Sequence, residues 1–410
     1  MSRGNTFNLL SFLLLLLGLF LFSPAAWGQE LTARSYLLME ASSGQVLMSK
    51  DPDTPLPPAS TTKILTALLA IKRGNLDEEV VVSEKASRME GSRVYLEPGE
   101  RRTIRELLYA LLLQSGNDAA VAIAEHIAGT EEEFARLMEK EARSLGARSS
   151  SFRNPHGLHH PQHLVTARDL ALITREALKW KEFREIVATR ERVIPGLRGE
   201  RRLRNKNRLL WEYPGAIGVK TGYTPEAGSC LVAAAEREGR LLIAVVLGSR
   251  PGASFREAAW LLDQGFENFR EEIGVRAGEK VADLRVEGQF LPLLAGESFS
   301  YAVPRQSSPL SRRLSLERRI EPPLQAGEEV ASLEFYHGEE RVGSVKLLSG
   351  AAIEPPRNPF PWLVPALFLV TIFLVRRRRQ RKVFALRPPG LHVFRAESRG
   401  DLPFRRNLPG

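Results

Sequence analysis

Cysteine is nearly absent from this chain of 410 residues. The one residue, Cys230, rules out any disulfide within the chain. It follows Gly228-Ser229 and opens the apolar run Leu231-Val232-Ala233-Ala234-Ala235, the setting of a small strand residue rather than a reactive thiol. Internal repeats are missing too. Net charge is missing where it would matter most. Of the formal +10, residues 376–410 supply +9, eleven Arg or Lys against Glu397 and Asp401, and Arg3 supplies the rest. Residues 29–375 therefore hold 46 basic and 46 acidic side chains. The globular part is neutral, and no nucleic-acid partner is expected.

Long apolar runs occur only near the ends. Arg3 precedes an apolar stretch from Leu9 to Phe22 and then Ala26-Trp27-Gly28, the pattern of a secretory signal peptide over residues 1–28. Residues 360–375 carry no charge and are followed by Arg376-Arg377-Arg378-Arg379-Gln380-Arg381-Lys382. As a helix they span about 24 Å, short of a hydrocarbon core of about 30 Å. Snorkelling arginines and local thinning can close that gap. The segment is expected to be a transmembrane helix with its basic flank, 376–410, in the cytoplasm. Everything between the two segments is then extracytoplasmic, anchored in the cytoplasmic membrane.

Between the ends, Ser35–Met39 and Gln45–Met48 flank Ala41-Ser42-Ser43-Gly44 and read as a hairpin. Helical signals follow. Thr103…Glu106 and Thr130…Glu133 both have the spacing of a capping box. Asp169 reads as the acidic end of a cap begun by Thr166. Strand signals return at Ile217–Val219, Cys230–Ala235 and Leu241–Leu247, and Phe255–Phe269 reads as a closing helix. Strands at both ends with helices between them predict one α+β domain over 29–274 whose sheet is assembled from distant pieces. Residues 275–350 alternate in short apolar runs, with Leu333 and Phe335, then a turn at 337–340, then Val345 and Leu347. They predict a small all-β domain, joined by a Pro-rich linker over 351–359 to the membrane segment.

Three short motifs carry chemistry. Ser60-Thr61-Thr62-Lys63 opens an apolar helix, Ile64 to Ala70, and places the serine and lysine on one face a turn apart. Burial there lowers the lysine pKa and sets a general base beside a nucleophile. Ser115-Gly116-Asn117 sits between Leu111-Leu112-Leu113 and a second helix, and Lys220-Thr221-Gly222 follows the strand-like Ala216–Val219. Each motif alone is common; the ordered triple in helix, loop and strand contexts is specific.

On these residues the chain from about Ser35 to Glu340 resembles the low-molecular-mass penicillin-binding proteins that are D-alanyl-D-alanine carboxypeptidases. Further likenesses are Asn154-Pro155-His156-Gly157-Leu158, Thr166-Ala167-Arg168-Asp169, and Tyr223-Thr224 after the third motif. The resemblance implies a β-lactamase/transpeptidase-like fold, an antiparallel sheet flanked by helices with a helical subdomain. It also implies an acyl-enzyme mechanism on peptidoglycan stem peptides ending in D-Ala-D-Ala, with β-lactams as inhibitors and no cofactor. Ser60 is then the nucleophile and Lys63 its base. Ser115 relays a proton between Lys220 and the leaving amine, and Asn117 holds the substrate backbone. Lys220 and Thr221 meet the terminal carboxylate, and Gly222 lets the strand approach the substrate closely. The backbone N–H groups of Ser60 and Tyr223 form the oxyanion hole. Arg256 matches a family arginine facing the carboxylate. Lys206 stands where some relatives carry arginine, without that residue's bidentate fork.

Two other readings share these motifs. A serine β-lactamase of the kind that deacylates through a loop glutamate pairs that glutamate with an asparagine four residues later. None of Glu176, Glu182, Glu185, Glu191 or Glu200 has that partner. A non-catalytic wall-binding scaffold predicts the loss of a catalytic side chain, and none is missing. His156, His159, His160 and His163 surround Gly157 and Pro161 in a loop, and no metal is expected there.

Overall fold

The structure, a computed structural model, describes residues 31–316, 319–355 and 362–384. The expected signal segment and the tail beyond residue 384 lie outside the described residues.

Five strands form the main sheet: β1 (Ser35–Glu40), β2 (Val46–Lys50), β3 (Ala216–Thr224), β4 (Gly228–Arg237) and β5 (Arg240–Ser249). Their order is β2-β1-β5-β4-β3, every neighbour antiparallel, with Ser35 facing Leu247 across the join of the two chain segments. The expected hairpin and all three later strands are present. β4 and β5 read as nearly continuous apolar runs because the sheet is buried on both faces. Val232, Ala234, Ile243 and Val245 enter the core on the helical side, while Leu231, Ala233, Leu242 and Ala244 pack under the closing helix, Ser254–Asn268. This period of two fixes the face on which each β3 residue lies. Lys220 pairs with Val232 and Gly222 with Cys230, so both face the helical side.

The helical side is built around Lys63–Arg73, in which Lys63 to Ile71 are all buried. A helix sealed all round needs no amphipathic stripe, and the sequence shows none. The Ile104–Leu113 helix begins with a full capping box from Thr103 and Glu106. At Thr130 only half of the expected box forms. The Thr130 hydroxyl accepts from the Glu133 amide, but the Glu133 carboxylate turns outward to Arg136. Asp169 does more than end the Thr166 cap, because its carboxylate holds the Ser149 amide and the Ser150 hydroxyl.

The all-β module follows. Strand Phe269–Val275 already pairs with Phe299–Pro304, so the expected boundary after Gly274 falls within a strand. Leu291, Leu333, Phe335, Val345 and Leu347 form its core, and Phe299 stacks on Phe335 at 4.3 Å. The Gln45 side chain joins the two modules by bonding both the amide and the carbonyl of Ala302, at 2.7 and 2.8 Å.

The last helix runs Leu363–Phe384, apolar and exposed as far as Val375 and arginine-rich beyond. Among the described residues no helix is long and apolar enough to cross a membrane. Residues 356–361, where the expected membrane segment begins, lie outside the described residues.

Candidate active site

The Ser60 turn is tightly braced. Ala59 takes a left-handed backbone, φ 48°, just before the serine, a conformation that costs a non-glycine residue about 1–3 kcal/mol. The Thr61 hydroxyl donates to the Pro58 carbonyl and the Thr62 hydroxyl to that of Ala59. Gly157 packs on the same turn, where a Cβ would lie 1.9 Å from the Ala59 oxygen. His163 Nε2 meets the Thr62 hydroxyl at 3.1 Å, and burial holds the ring's pKa down at about 3. Residues 59–62 form a single turn of 3-10 helix before Lys63, with no side-chain cap. The Ser60 hydroxyl is left free to face the lysine.

Lys63 Nζ lies 3.0 Å from Ser60 Oγ, 2.7 Å from Asn117 Oδ1 and 2.6 Å from the His156 carbonyl. The residue has no solvent exposure. Burial lowers its pKa well below the ordinary lysine value, and the charges of Lys220 and Lys206 push it the same way. Two of its three neighbours are carbonyl oxygens, which only accept. A neutral amine has two N–H groups for those carbonyls and one lone pair left for the Ser60 hydroxyl. The three contacts suit a neutral base.

The facing wall mirrors this arrangement. Ser115, also left-handed at φ 65°, places Oγ 3.0 Å from Lys220 Nζ, which also donates to the Thr221 carbonyl at 2.8 Å. Burial, helped by the charge of Lys206, lowers the Lys220 pKa to about 7. Lys206 is exposed, but its ammonium donates to Ser92 Oγ at 3.0 Å, and partial burial lowers its pKa as well. Between the walls lies a cavity of about 460 Å³, lined among others by Ser60, Ser115, Lys206, Thr221, Tyr223 and Ser254.

Ser60, Lys63, Ser115, Asn117, Lys206, Lys220, Thr221, Gly222 and Tyr223 thus converge on one cleft. Arg256 does not. It is exposed, makes no hydrogen bond or ion pair among the described residues, and lies outside the cavity wall. Helical phase is the reason: Ser254 and Phe255 face the cleft, and Glu257 is buried toward Thr32 and Ser249. Two expected roles gain a second part. Asn117 Oδ1 accepts from Lys63 and Nδ2 donates to the Glu90 carbonyl at 2.6 Å, so it also positions the base, with one lone pair and one N–H left over. The close approach permitted by Gly222 is to the Ser60 turn, where a Cβ would lie 2.9 Å from Ser60 N.

Three supporting residues were not anticipated. Ser92 meets Lys206, and its carbonyl accepts from the Asn117 amide. Asp118 accepts from the Val94 and Leu96 amides and shapes that loop. The His156 ring bonds Glu131 through Nε2 and accepts the Leu158 amide at Nδ1, which steadies the carbonyl that holds Lys63. Asp118 lay next to Asn117 and His156 within the Asn154–Leu158 likeness; Ser92 lay near neither. Cys230 borders the cavity as a buried thiol, its pKa pushed up to about 11 by burial. Among the described residues no His, Cys, Asp and Glu group is placed to hold a metal.

A family model described as D-alanyl-D-alanine carboxypeptidase matches residues 22–251, and one described as the C-terminal domain of penicillin-binding protein 5 matches 274–355. The chain is 36% identical over 347 residues to the D-alanyl-D-alanine carboxypeptidase DacF of Bacillus subtilis, covering 80% of this chain and 89% of that one. It is 35% identical to DacC of Escherichia coli over 77% of this chain and 85% of that protein. Among solved structures, penicillin-binding protein 5 from Haemophilus influenzae superposes with a TM-score of 0.72 at 28% identity, over 79% of this chain and 98% of that one.

Proposed function

The chain belongs to the family of D-alanyl-D-alanine carboxypeptidases, and from that membership we propose a role for each group in the cleft. The protein is a serine D-alanyl-D-alanine carboxypeptidase that removes the terminal D-alanine from peptidoglycan stem peptides. β3 ends the sheet, so its outer edge offers backbone groups to an extended peptide lying beside it. Lys220, Thr221 and Lys206 receive the terminal carboxylate, an anion best matched by charge-assisted bonds. Neutral Lys63 takes the Ser60 proton as Oγ attacks the carbonyl. The developing oxyanion meets the Ser60 and Tyr223 amides. Ser115 passes a proton from Lys220 to the leaving nitrogen, and D-alanine departs. Lys63 releases the serine proton to solvent while Lys220 regains one; water then attacks the Ser60 ester, Lys63 taking its proton and returning it to Ser60 Oγ as the ester breaks.

The observation that carries this reading is the sealed Lys63, held by two accept-only carbonyls with its third direction on Ser60. The test is covalent labelling of the purified protein by a tagged penicillin, together with D-alanine release from a pentapeptide. Ser60→Ala is expected to abolish both. Label that survives this change assigns the nucleophile elsewhere.

We propose further that the chain is exported by its first 28 residues and held at the cytoplasmic membrane by residues 360–375, with the catalytic part outside. Support comes from the exposed, uniformly apolar surface of Leu363–Val375 and the arginines after it. A helix this short needs local thinning of the bilayer. Removal of residues 356–410 is expected to move activity from the membrane to the soluble fraction. Activity that stays membrane-bound contradicts the anchor.

A further inference from the structure

Six non-glycine residues among those described have a left-handed backbone. Asp51, Glu238 and Glu287 sit just past the ends of strands, where the chain turns, and Ala59 and Ser115 belong to the cleft. Tyr95, at φ 60°, is the sixth and the one aromatic. Such a conformation is strained for a bulky residue and persists only where the surroundings impose it. Here they do. The sealed carboxylate of Asp118 accepts the Val94 amide at 3.0 Å and the Leu96 amide at 3.1 Å. Arg201 donates to the Tyr95 carbonyl at 2.8 Å, and the Val94 and Leu96 side chains are buried on either side.

The Tyr95 ring gains little from the fold that strains it. It is 69% exposed, and its hydroxyl has no partner among the described residues. The Arg93 guanidinium lies over one face, 5.0 Å from the ring centroid. Glycine or asparagine would suit this backbone with less strain. An aromatic ring held in water on a braced loop therefore points to a ligand rather than to folding.

Shape and place narrow that ligand. Val94 and Leu96 turn inward, so no apolar side chain of the loop extends the platform into a groove for a peptide. One ring face is backed by a cation and the other is open. The open π face attracts weakly positive C–H groups, which a pyranose presents along one side, with hydroxyls around its edge. The Arg93 guanidinium and the Tyr95 hydroxyl are suited to bonding those hydroxyls. Ser92 lines the cleft, and Tyr95 follows three residues later, within about 10 Å along the chain. A pentapeptide bound in the cleft extends at most about 17 Å, so the sugar that carries it stays near this loop.

We propose that Tyr95, backed by Arg93, is a sugar-binding platform that holds a pyranose ring of the glycan strand while a stem attached to that strand occupies the cleft. This inference rests on the Ser60 reading above. The ring touches no reacting atom. It contributes to capture of the polymer, which lowers KM without changing kcat and favours glycan-borne stems over free ones.

The test compares a glycan-borne pentapeptide with the free pentapeptide as substrates of the full-length protein, each scored by D-alanine release. Tyr95→Gly should raise KM for the glycan-borne stem about fivefold, the scale of one aromatic contact, with kcat unchanged. Kinetics on the free pentapeptide should stay the same. Tyr95→Phe keeps the ring and should keep the low KM. Glycine takes φ 60° without strain, so the thermal midpoint of Tyr95→Gly should hold or rise, which separates a lost contact from a damaged fold. Glycan chains stripped of their stems should compete with the glycan-borne substrate of the unaltered protein, an outcome that needs no variant to fold. An unchanged KM in Tyr95→Gly, a rise shared by both substrates, a Tyr95→Phe variant as impaired as Tyr95→Gly, or no competition by stripped glycan overturns this inference alone. D-Alanine release from neither substrate removes the proposed function and this inference with it.

Discussion

A methyl group at position 222 is a sharp probe of the cleft. A Cβ there would lie 2.9 Å from Ser60 N, 3.1 Å from the Ala59 Cβ and 3.2 Å from the Pro58 oxygen. Such contacts relax at about 3.5 Å or more, so β3 and the serine turn must part by about half an ångström. Two of the three opposing atoms are backbone, and the turn is braced by Thr61, Thr62 and Gly157, so little of that strain can be absorbed elsewhere. The separation falls between the two amides proposed to hold the oxyanion, where donors must lie about 2.7–3.1 Å from the developing charge. Losing one such donor costs about 2.7–4 kcal/mol, or about 10²–10³ in rate. Gly222→Ala should therefore slow penicillin acylation by roughly that factor, measured by stopped-flow mixing. Position 222 does not have a left-handed φ, so alanine suits the backbone and the folded state should survive. Acylation within threefold of the unaltered protein, with unchanged thermal stability, would refute the reasoning.

Other changes test the electrostatics. Lys206→Met removes a positive charge that depresses both Lys63 and Lys220. Activity requires Lys63 neutral and Lys220 charged, so both limbs of the kcat/KM pH profile should move to higher pH, by about half a unit to one unit. Limbs that stay put mean the charge is not felt. Lys63→Arg should abolish acylation, because a guanidinium does not deprotonate, and residual labelling would point to another base. Glu100 is sealed from solvent between Arg102 and Arg201. Burial pushes its carboxyl pKa up, but the bonds from Arg201, the Glu97 amide and Arg102 together hold it below the ordinary range. Glu100→Gln should cost about 3 kcal/mol in urea unfolding at pH 7. A depressed folded pKa gives stability that is present above the unfolded carboxyl value and lost as pH falls through the folded one. The gap between the variant and the parent should therefore narrow below about pH 4; a gap unchanged from pH 7 to pH 3 would contradict that pairing.

The chemistry was legible because the cleft is built from residues whose local contexts speak for themselves. Ser60 and Lys63 share a turn, and Lys220, Thr221 and Gly222 directly follow a strand-like run. The alternation through Leu333, Phe335, Val345 and Leu347 likewise exposed the second module. What failed depends on contacts no spacing encodes. Arg256 follows Phe255 in sequence but is turned about 100° around the helix, away from the cleft. Asn117 lies where its motif puts it, yet its second role, positioning the base, is set by Glu90 and Lys63, both distant in sequence. Ser92 had no signal at all, since it lies in an irregular loop shaped by Asp118. Glu133 had the spacing for a capping box, and a competing arginine one turn on took its carboxylate.

The strand order has a consequence for how the protein comes into being. β1 must wait for β5, about 210 residues later, before it has a partner on that side. Closing so long a loop is slow, because its entropic cost falls due before the pairing can compensate. The helix bearing Ser60 is made early, but β3, which carries Lys220, lies at the far edge of the same sheet. A nascent chain that ends before Arg240 lacks the strand that joins β1 to β4, so Lys220 has no sheet to hold it opposite Ser60. Catalytic competence is thus among the last properties the chain acquires, and covalent capture of a penicillin would time the final step of its folding.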